Sequence, residues 1–220
     1  MELPFSQADF FLVFNHYNQA IWPAQLLATA MGAAAMLLLV TRWRWADRFV
    51  SATLCALWAF TGIAYHWTFF AAINQAAHLF GALFLLAAVI FAWEGVVRSR
   101  LRFRLERGAV TWMALILITY AIGIYPLLGL LVTHPYPETP LFGVVPCPTT
   151  IFTLALLMLA EHPRPLYVAA VPLAWSVIGG SAAWLLAVPQ DWGLFAAALG
   201  WVVAYVTTSR PPAASSGRST

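Results

Sequence analysis

The chain contains no lysine; all 11 of its basic residues are arginine. Charge of either sign is scarce, 9% of 220 residues, against about 25% in a soluble globular domain. A soluble protein of this length needs a charged shell, and this sequence cannot supply one. The missing lysine also excludes a retinal Schiff-base photoreceptor, whose covalent link requires an amine. No carboxylate falls in the middle third of any apolar run, which argues against a pump driven by a mid-membrane acid. There are two cysteines, Cys55 in an apolar run and Cys147 in a proline-rich link. Their expected depths differ by most of a half-membrane, and a disulfide needs Cα atoms within about 7 Å, so none is expected. There is no phosphate-binding glycine loop, no His-Glu-x-x-His and no Gly-x-Ser-x-Gly, so a hydrolase or nucleotide-using enzyme has no support. The N-terminus carries no basic n-region with a small-residue cleavage site, so no secretory signal peptide is expected. No internal repeat supports an inverted-repeat transporter plan.

What the chain has instead is 62% hydrophobic residues. The expected fold class is all-α: an integral membrane bundle of seven transmembrane helices with an N-terminal interfacial helix. About 20 apolar residues cross the hydrocarbon core, which places spans near 22–40, 49–66, 74–97, 110–132, 149–160, 166–188 and 191–207. The fifth is short. Residues 1–21 read as the interfacial helix, with Ser6 as N-cap, Asp9 reaching back, and Asn15, His16, Asn18 and Gln19 on a polar side. Residues 1–208 form one expected helical domain, and 209–220 an expected disordered cytoplasmic tail.

The arginines fix the expected orientation. Arg42, Arg44 and Arg48, then Arg98, Arg100, Arg102, Arg104 and Arg107, then Arg164, Arg210 and Arg218 all fall on one side of a seven-span chain. Glu2, Asp9, Glu138 and Asp191 fall on the other. The positive-inside rule then puts the N-terminus outside and the C-terminus in the cytoplasm. A six-span chain would put Arg164 and the C-terminal arginines outside. The basic balance is therefore a membrane signal, and nucleic acid is not an expected partner. The expected partner is the lipid bilayer, with anionic head groups at Arg98, Arg100, Arg102, Arg104 and Arg107; a purely topological role is the simpler alternative. Glu94, four residues before Arg98, reads as an ion-paired acid at the inner helix end.

Small-residue ladders at Ala24, Ala28 and Gly32, and at Ala196, Gly200 and Ala204, suit close helix packing in lipid. The organising stretch is 61–78. It holds no acid, Lys or Arg, yet carries His66, His78, Tyr65, Trp67, Asn74 and Gln75, and it reads as an outward-facing turn. The other unusual stretch is 133–150, with five prolines. It reads as a stiff loop on the same outer side, next to a kink from Gly123, Tyr125, Pro126 and Gly129.

Candidate pocket residues are Tyr65, His66, Asn74, His78, Tyr125 and Cys147, with walls from the second and third helices, the kinked fourth and the 133–150 loop. His66 and His78 are also the candidate ligands for a haem iron or copper, though the bland alternative is two hydrogen-bonded interfacial histidines. Three functions stay open: a permease-like transporter with an outward-facing pocket, a membrane redox or metalloprotein, and a non-catalytic partner subunit or sensor. An enzyme is not favoured, and neither cofactor nor oligomeric state follows from the sequence.

Five segments together carry a family likeness: 17–25 (Tyr-Asn-Gln-Ala-Ile-Trp-Pro-Ala-Gln), 64–74 (Ala-Tyr-His-Trp-Thr-Phe-Phe-Ala-Ala-Ile-Asn), 125–129 (Tyr-Pro-Leu-Leu-Gly), 142–150 (Phe-Gly-Val-Val-Pro-Cys-Pro-Thr-Thr) and 178–183 (Ile-Gly-Gly-Ser-Ala-Ala). With them the chain, over nearly all of 3–207, resembles a family of bacterial polytopic membrane proteins defined as a domain of unknown function. The resemblance implies one bacterial inner-membrane domain. It brings no activity, cofactor or site residue.

Overall fold

The computed structural model describes residues 4–161 and 165–208. His162, Arg164, Arg210, Arg218 and the expected tail lie outside the described residues. What is described is helical, with a single antiparallel bridge between Phe103 and Ala160.

Helix α1 (Gln7–Ala20) starts with the expected capping box. Ser6 Oγ accepts from the Asp9 backbone, and the Asp9 carboxylate accepts from the Ser6 backbone. The Ser6 hydroxyl also donates to the Asp9 carboxylate, and with the Ser6 backbone N–H it holds the Asp9 carboxyl below the usual carboxylate range. The helix is bent by 84° from α2 (Ala24–Val40), so it lies across the bundle end. Its polar side does not simply face water. Asn18 is buried and donates to the carbonyls of Pro137 (2.6 Å) and Thr139 (2.8 Å). Tyr17 Oη donates to the Val144 carbonyl (2.6 Å), and Asn15 to Glu138. The proline-rich segment makes few regular backbone hydrogen bonds, so its carbonyls need donors, and α1 supplies them.

Helix α3 (Ala46–Phe60) does not stop where the polar residues begin. It continues as a π-helical run over Thr61–Phe69 and a 3-10 turn over Phe70–Ala72. The expected outer turn is therefore mostly helix, and only 73–76 turns the chain into α4 (Ala77–Phe91). The α3 and α4 backbones meet at Gly62 and Gly81. A Cβ on Gly81 would sit 2.9 Å from the Gly62 carbonyl oxygen. Such close approach is what packs helices where lipid removes the hydrophobic drive. After α4 and a π-helical end at Ala92–Val97, α5 (Ala109–Thr119) passes through π-turns into α6 (Tyr125–Leu128) and a last π-turn at Gly129–Thr133. Pro126 cannot donate to residue 122 and its ring crowds that carbonyl; wider turns on either side absorb the mismatch. The expected kink is thus spread over about three turns.

The short helix α7 (Pro146–Met158) is the hub. Every side chain from Pro148 to Met158 is buried. It packs against α3, α5, α8 (Leu166–Leu185) and α9 (Trp192–Thr208). Trp58 from α3 donates its indole N–H to Thr153 Oγ1 at 2.8 Å in this core.

The surface pattern is inverted relative to a soluble fold. Leu26, Leu27, Leu79, Val89, Ile116 and Val202 are exposed, while Thr53, Thr61, Thr149, Thr150, Ser176 and His66 are fully buried. Exposed apolar surface on this scale marks contact with an apolar medium. Among the described residues four helices are long and apolar enough to cross a membrane: Ala46–Ala72, Ala77–Val97, Ala109–Val132 and Tyr167–Leu185. The bent pair α1–α2 raises this to five if counted as one span. The 17 residues of α2 and of α9 measure roughly 26 Å each and the 13 of α7 roughly 20 Å at about 1.5 Å per residue, short of a hydrocarbon core of about 30 Å. Four to five spans are therefore supported by length and composition, rather than seven.

Candidate functional site

At the α1 end of the bundle, a cavity of about 160 Å³ opens among α1, the end of α3, α6, the start of α7, α8 and the turn before α9. A cavity of this volume holds a benzene-sized molecule. Its wall is aromatic: Phe10, Phe14, Tyr65, Phe70, Phe80 and Trp175. Tyr65 stacks on Phe14 and Phe70 at centroid distances of 5.6 and 5.5 Å, and Phe80 meets Trp175 edge-on at 5.3 Å.

Of the sequence candidates, Tyr65, Asn74, Tyr125 and Cys147 line this cavity. Tyr65 comes from the π-helical extension of α3, and Tyr125 sits between the two π-turns flanking α6. Both side chains are buried. Cys147 occupies the first turn of α7 rather than a loop, because Pro146 suits the first helical position. Both cysteines are free.

The two histidines do not share an environment. His66 is completely buried behind the aromatic wall, its ring 4.7 Å from Phe84 and 5.1 Å from Trp175. Neither ring nitrogen has a hydrogen-bond partner among the described residues. His78 is exposed, and its backbone carbonyl accepts from the Trp67 indole at 2.9 Å. Sequence placed them near each other by assuming that the turn began at His66; the extra helix of α3 separates their surroundings. Among the described residues no group of three or more His, Cys, Asp or Glu side chains could hold a metal ion. The other two described histidines are peripheral: His134 pairs with Glu138 at 3.1 Å and lies against Phe11, and His16 is exposed.

The group that sequence reasoning passed over is Asp191. It was counted only as an acid on the outer side. The structure buries it to 2% exposure at the base of the cavity, immediately ahead of α9. Tyr125 Oη donates to Asp191 Oδ1 at 2.6 Å, and the Cys147 thiol sits against the same carboxylate. Neighbouring Gln190 is also buried, and its backbone carbonyl accepts from Tyr120 Oη at 2.7 Å. A signal existed: Asp191 directly abuts the last apolar run. Its inward orientation depends on α5, α6 and α7, far away in sequence.

The electrostatics of this acid are unbalanced. Burying a carboxylate costs several kcal/mol even after relaxation. A short phenol–carboxylate bond returns about 1.5–3 kcal/mol, the thiol less, and the α9 N-terminus about 0.3–1 kcal/mol. Pro146 and Pro148 have no N–H, so the α7 N-terminus adds little. Among the described residues no Arg, Lys or His lines the cavity. The donors offset part of the cost, and no side chain supplies a unit countercharge.

The opposite end holds the arginines. Arg98 and Arg100 reach the buried Glu94 at 3.4 and 3.8 Å, and Arg104 reaches Asp47 and Glu161 at 3.4 and 3.0 Å. The Asp47 carboxylate also accepts from the Phe103 backbone. Among the described residues Arg102 and Arg107 form no ion pair and are exposed. Arg42, Arg44 and Arg104 border a polar cleft of about 720 Å³ there.

Fold and site together define a helical protein with several membrane-length apolar helices, arginines gathered at one end, and an aromatic cavity with one buried acid at the other. The chain belongs to the family of unknown function DUF6064, whose model matches residues 7–215. No curated protein and no solved structure matches it.

Proposed function

We propose that this protein is a permease-like membrane protein that takes a small ligand into its outer cavity, with Asp191 as the polar end of the site. The observation that carries this reading is the buried Asp191–Tyr125–Cys147 cluster at the base of an aromatic cavity of benzene-sized volume. A purely structural bundle gains nothing from an unpaired acid next to open space.

The topology proposed with it is seven-span, N-terminus outside and C-terminus cytoplasmic, in a bacterial inner membrane. The arginine placement supports it. In this reading α2 and α9, about three residues below full spanning length, cross with local thinning of the bilayer, and α7 crosses most of it inside a protein sheath. Anionic lipid then meets Arg102 and Arg107, since Arg98, Arg100 and Arg104 are engaged with Glu94, Asp47 and Glu161.

Thiol labelling tests the reading. In a Cys55→Ala background, a membrane-impermeant maleimide should modify Cys147 from the outer face of sealed vesicles. Labelling only from the cytoplasmic face overturns it.

A further inference from the structure

We infer that the ligand of this cavity is a small organic cation: an ammonium group carrying an apolar or aromatic substituent. The inference rests on the cavity being a ligand site, as proposed above, and goes on to its chemistry.

Three observations converge. The only charged side chain lining the cavity, among the described residues, is Asp191, and it is an acid. Its fixed partners are hydrogen-bond donors, Tyr125 and Cys147, which hold the carboxyl group in place and supply no positive charge. Two banks of π-surface face into the cavity among aliphatic neighbours, Phe14, Tyr65 and Phe70 stacked as one and Phe80 and Trp175 meeting as the other. Buried charges in proteins are paired, and aromatic faces attract cations through their quadrupole. An anion would meet Asp191 with no cation to offset it. A neutral apolar molecule would fit the wall and leave the acid unpaired. An ammonium group satisfies both surfaces: its N–H donors or its methyls face Asp191, and its substituent lies between the two aromatic banks. The volume of about 160 Å³ limits the substituent to about one ring. Asn74 and Ser181, also on the wall, leave room for one further polar contact.

The test uses two molecules of the same size, benzylamine, protonated at neutral pH, and benzyl alcohol, which is neutral. Full-length Cys55→Ala protein in detergent is titrated with each. Binding is read twice: by calorimetry, and by protection of Cys147 from maleimide. We expect benzylamine to bind at least ten-fold more tightly than benzyl alcohol, and Asp191→Asn to abolish that preference while leaving benzyl alcohol binding within about two-fold. Benzoate, an anion of the same size, serves as the readout on the native residues if Asp191→Asn does not fold: it should bind and protect less than benzyl alcohol, and binding as tight as benzylamine overturns the cation inference. Equal binding and equal protection by the two compounds overturns the cation inference and leaves the ligand site standing. Failure of both to bind or protect overturns both.

Discussion

Removing the Tyr125 hydroxyl tests the energetics on which the site depends. Tyr125 is 1% exposed and Asp191 2%, and their bond is 2.6 Å long. Tyr125→Phe keeps the ring and its packing, so the change isolates the hydroxyl. A hydrogen bond to a buried charged group contributes about 1.5–3 kcal/mol, while a neutral one contributes about 0.5–1.5 kcal/mol. The substitution should therefore cost about 2–3 kcal/mol in the native chain. In an Asp191→Asn background the same change should cost only about 1 kcal/mol, because the acceptor is then a neutral amide. The double-mutant cycle should give a coupling of about 1–2 kcal/mol. Unfolding free energies come from reversible titration with sodium dodecyl sulfate in mixed micelles, followed by tryptophan fluorescence. A cost below about 0.5 kcal/mol for Tyr125→Phe, or an equal cost in both backgrounds, would refute the argument that a charged and under-compensated acid sits at the base of the cavity.

Packing and charge make further tests available. Gly81→Ala puts a methyl 2.9 Å from the Gly62 carbonyl oxygen, where backbone cannot yield, and against the Trp67 indole; overpacking should cost about 1–3 kcal/mol. Gly123→Ala, where nothing lies within 4 Å, should be neutral or stabilise by up to about 1 kcal/mol, and the same unfolding titration compares the two. At the other end, Arg102→Gln and Arg107→Gln should each weaken association with anionic-lipid nanodiscs by about five-fold, from about 1 kcal/mol per basic residue near an anionic surface. Arg104→Gln should instead destabilise the link it holds to Asp47 and Glu161.

Much of the fold was legible because it is local. Apolar runs, the Ser6–Asp9 cap and the Glu94–Arg98 pair each depend on residues within a few positions of one another, and each is found. Helix length was less legible. Nothing in 61–72 forbids helix, and its polar side chains were mistaken for a turn, whereas the packed interior of the bundle accommodates them. The same helical extension buries His66 while His78, past the turn, stays exposed. Shortness misled in another way: α7 has too few residues to span, and its apolar content gave no hint that protein, rather than lipid, surrounds all of it. Asp191 was the least legible of all, since its burial is decided by residues about 45 and 65 positions upstream. Half the aromatic wall comes from α1 and α8, which sequence reasoning assigned to packing and interface.

The enclosure of α7 also bears on how the protein is made. A 13-residue helix whose side chains are buried among other helices cannot hold its place without them. It emerges from the ribosome before α8 and α9, two of the helices that sheathe it. Its final packing therefore waits on theirs, so the environment of α7 is completed only when α8 and α9 close on it. A chain truncated before α8 would leave α7 packed on α3 and α5 alone, with its other apolar sides uncovered.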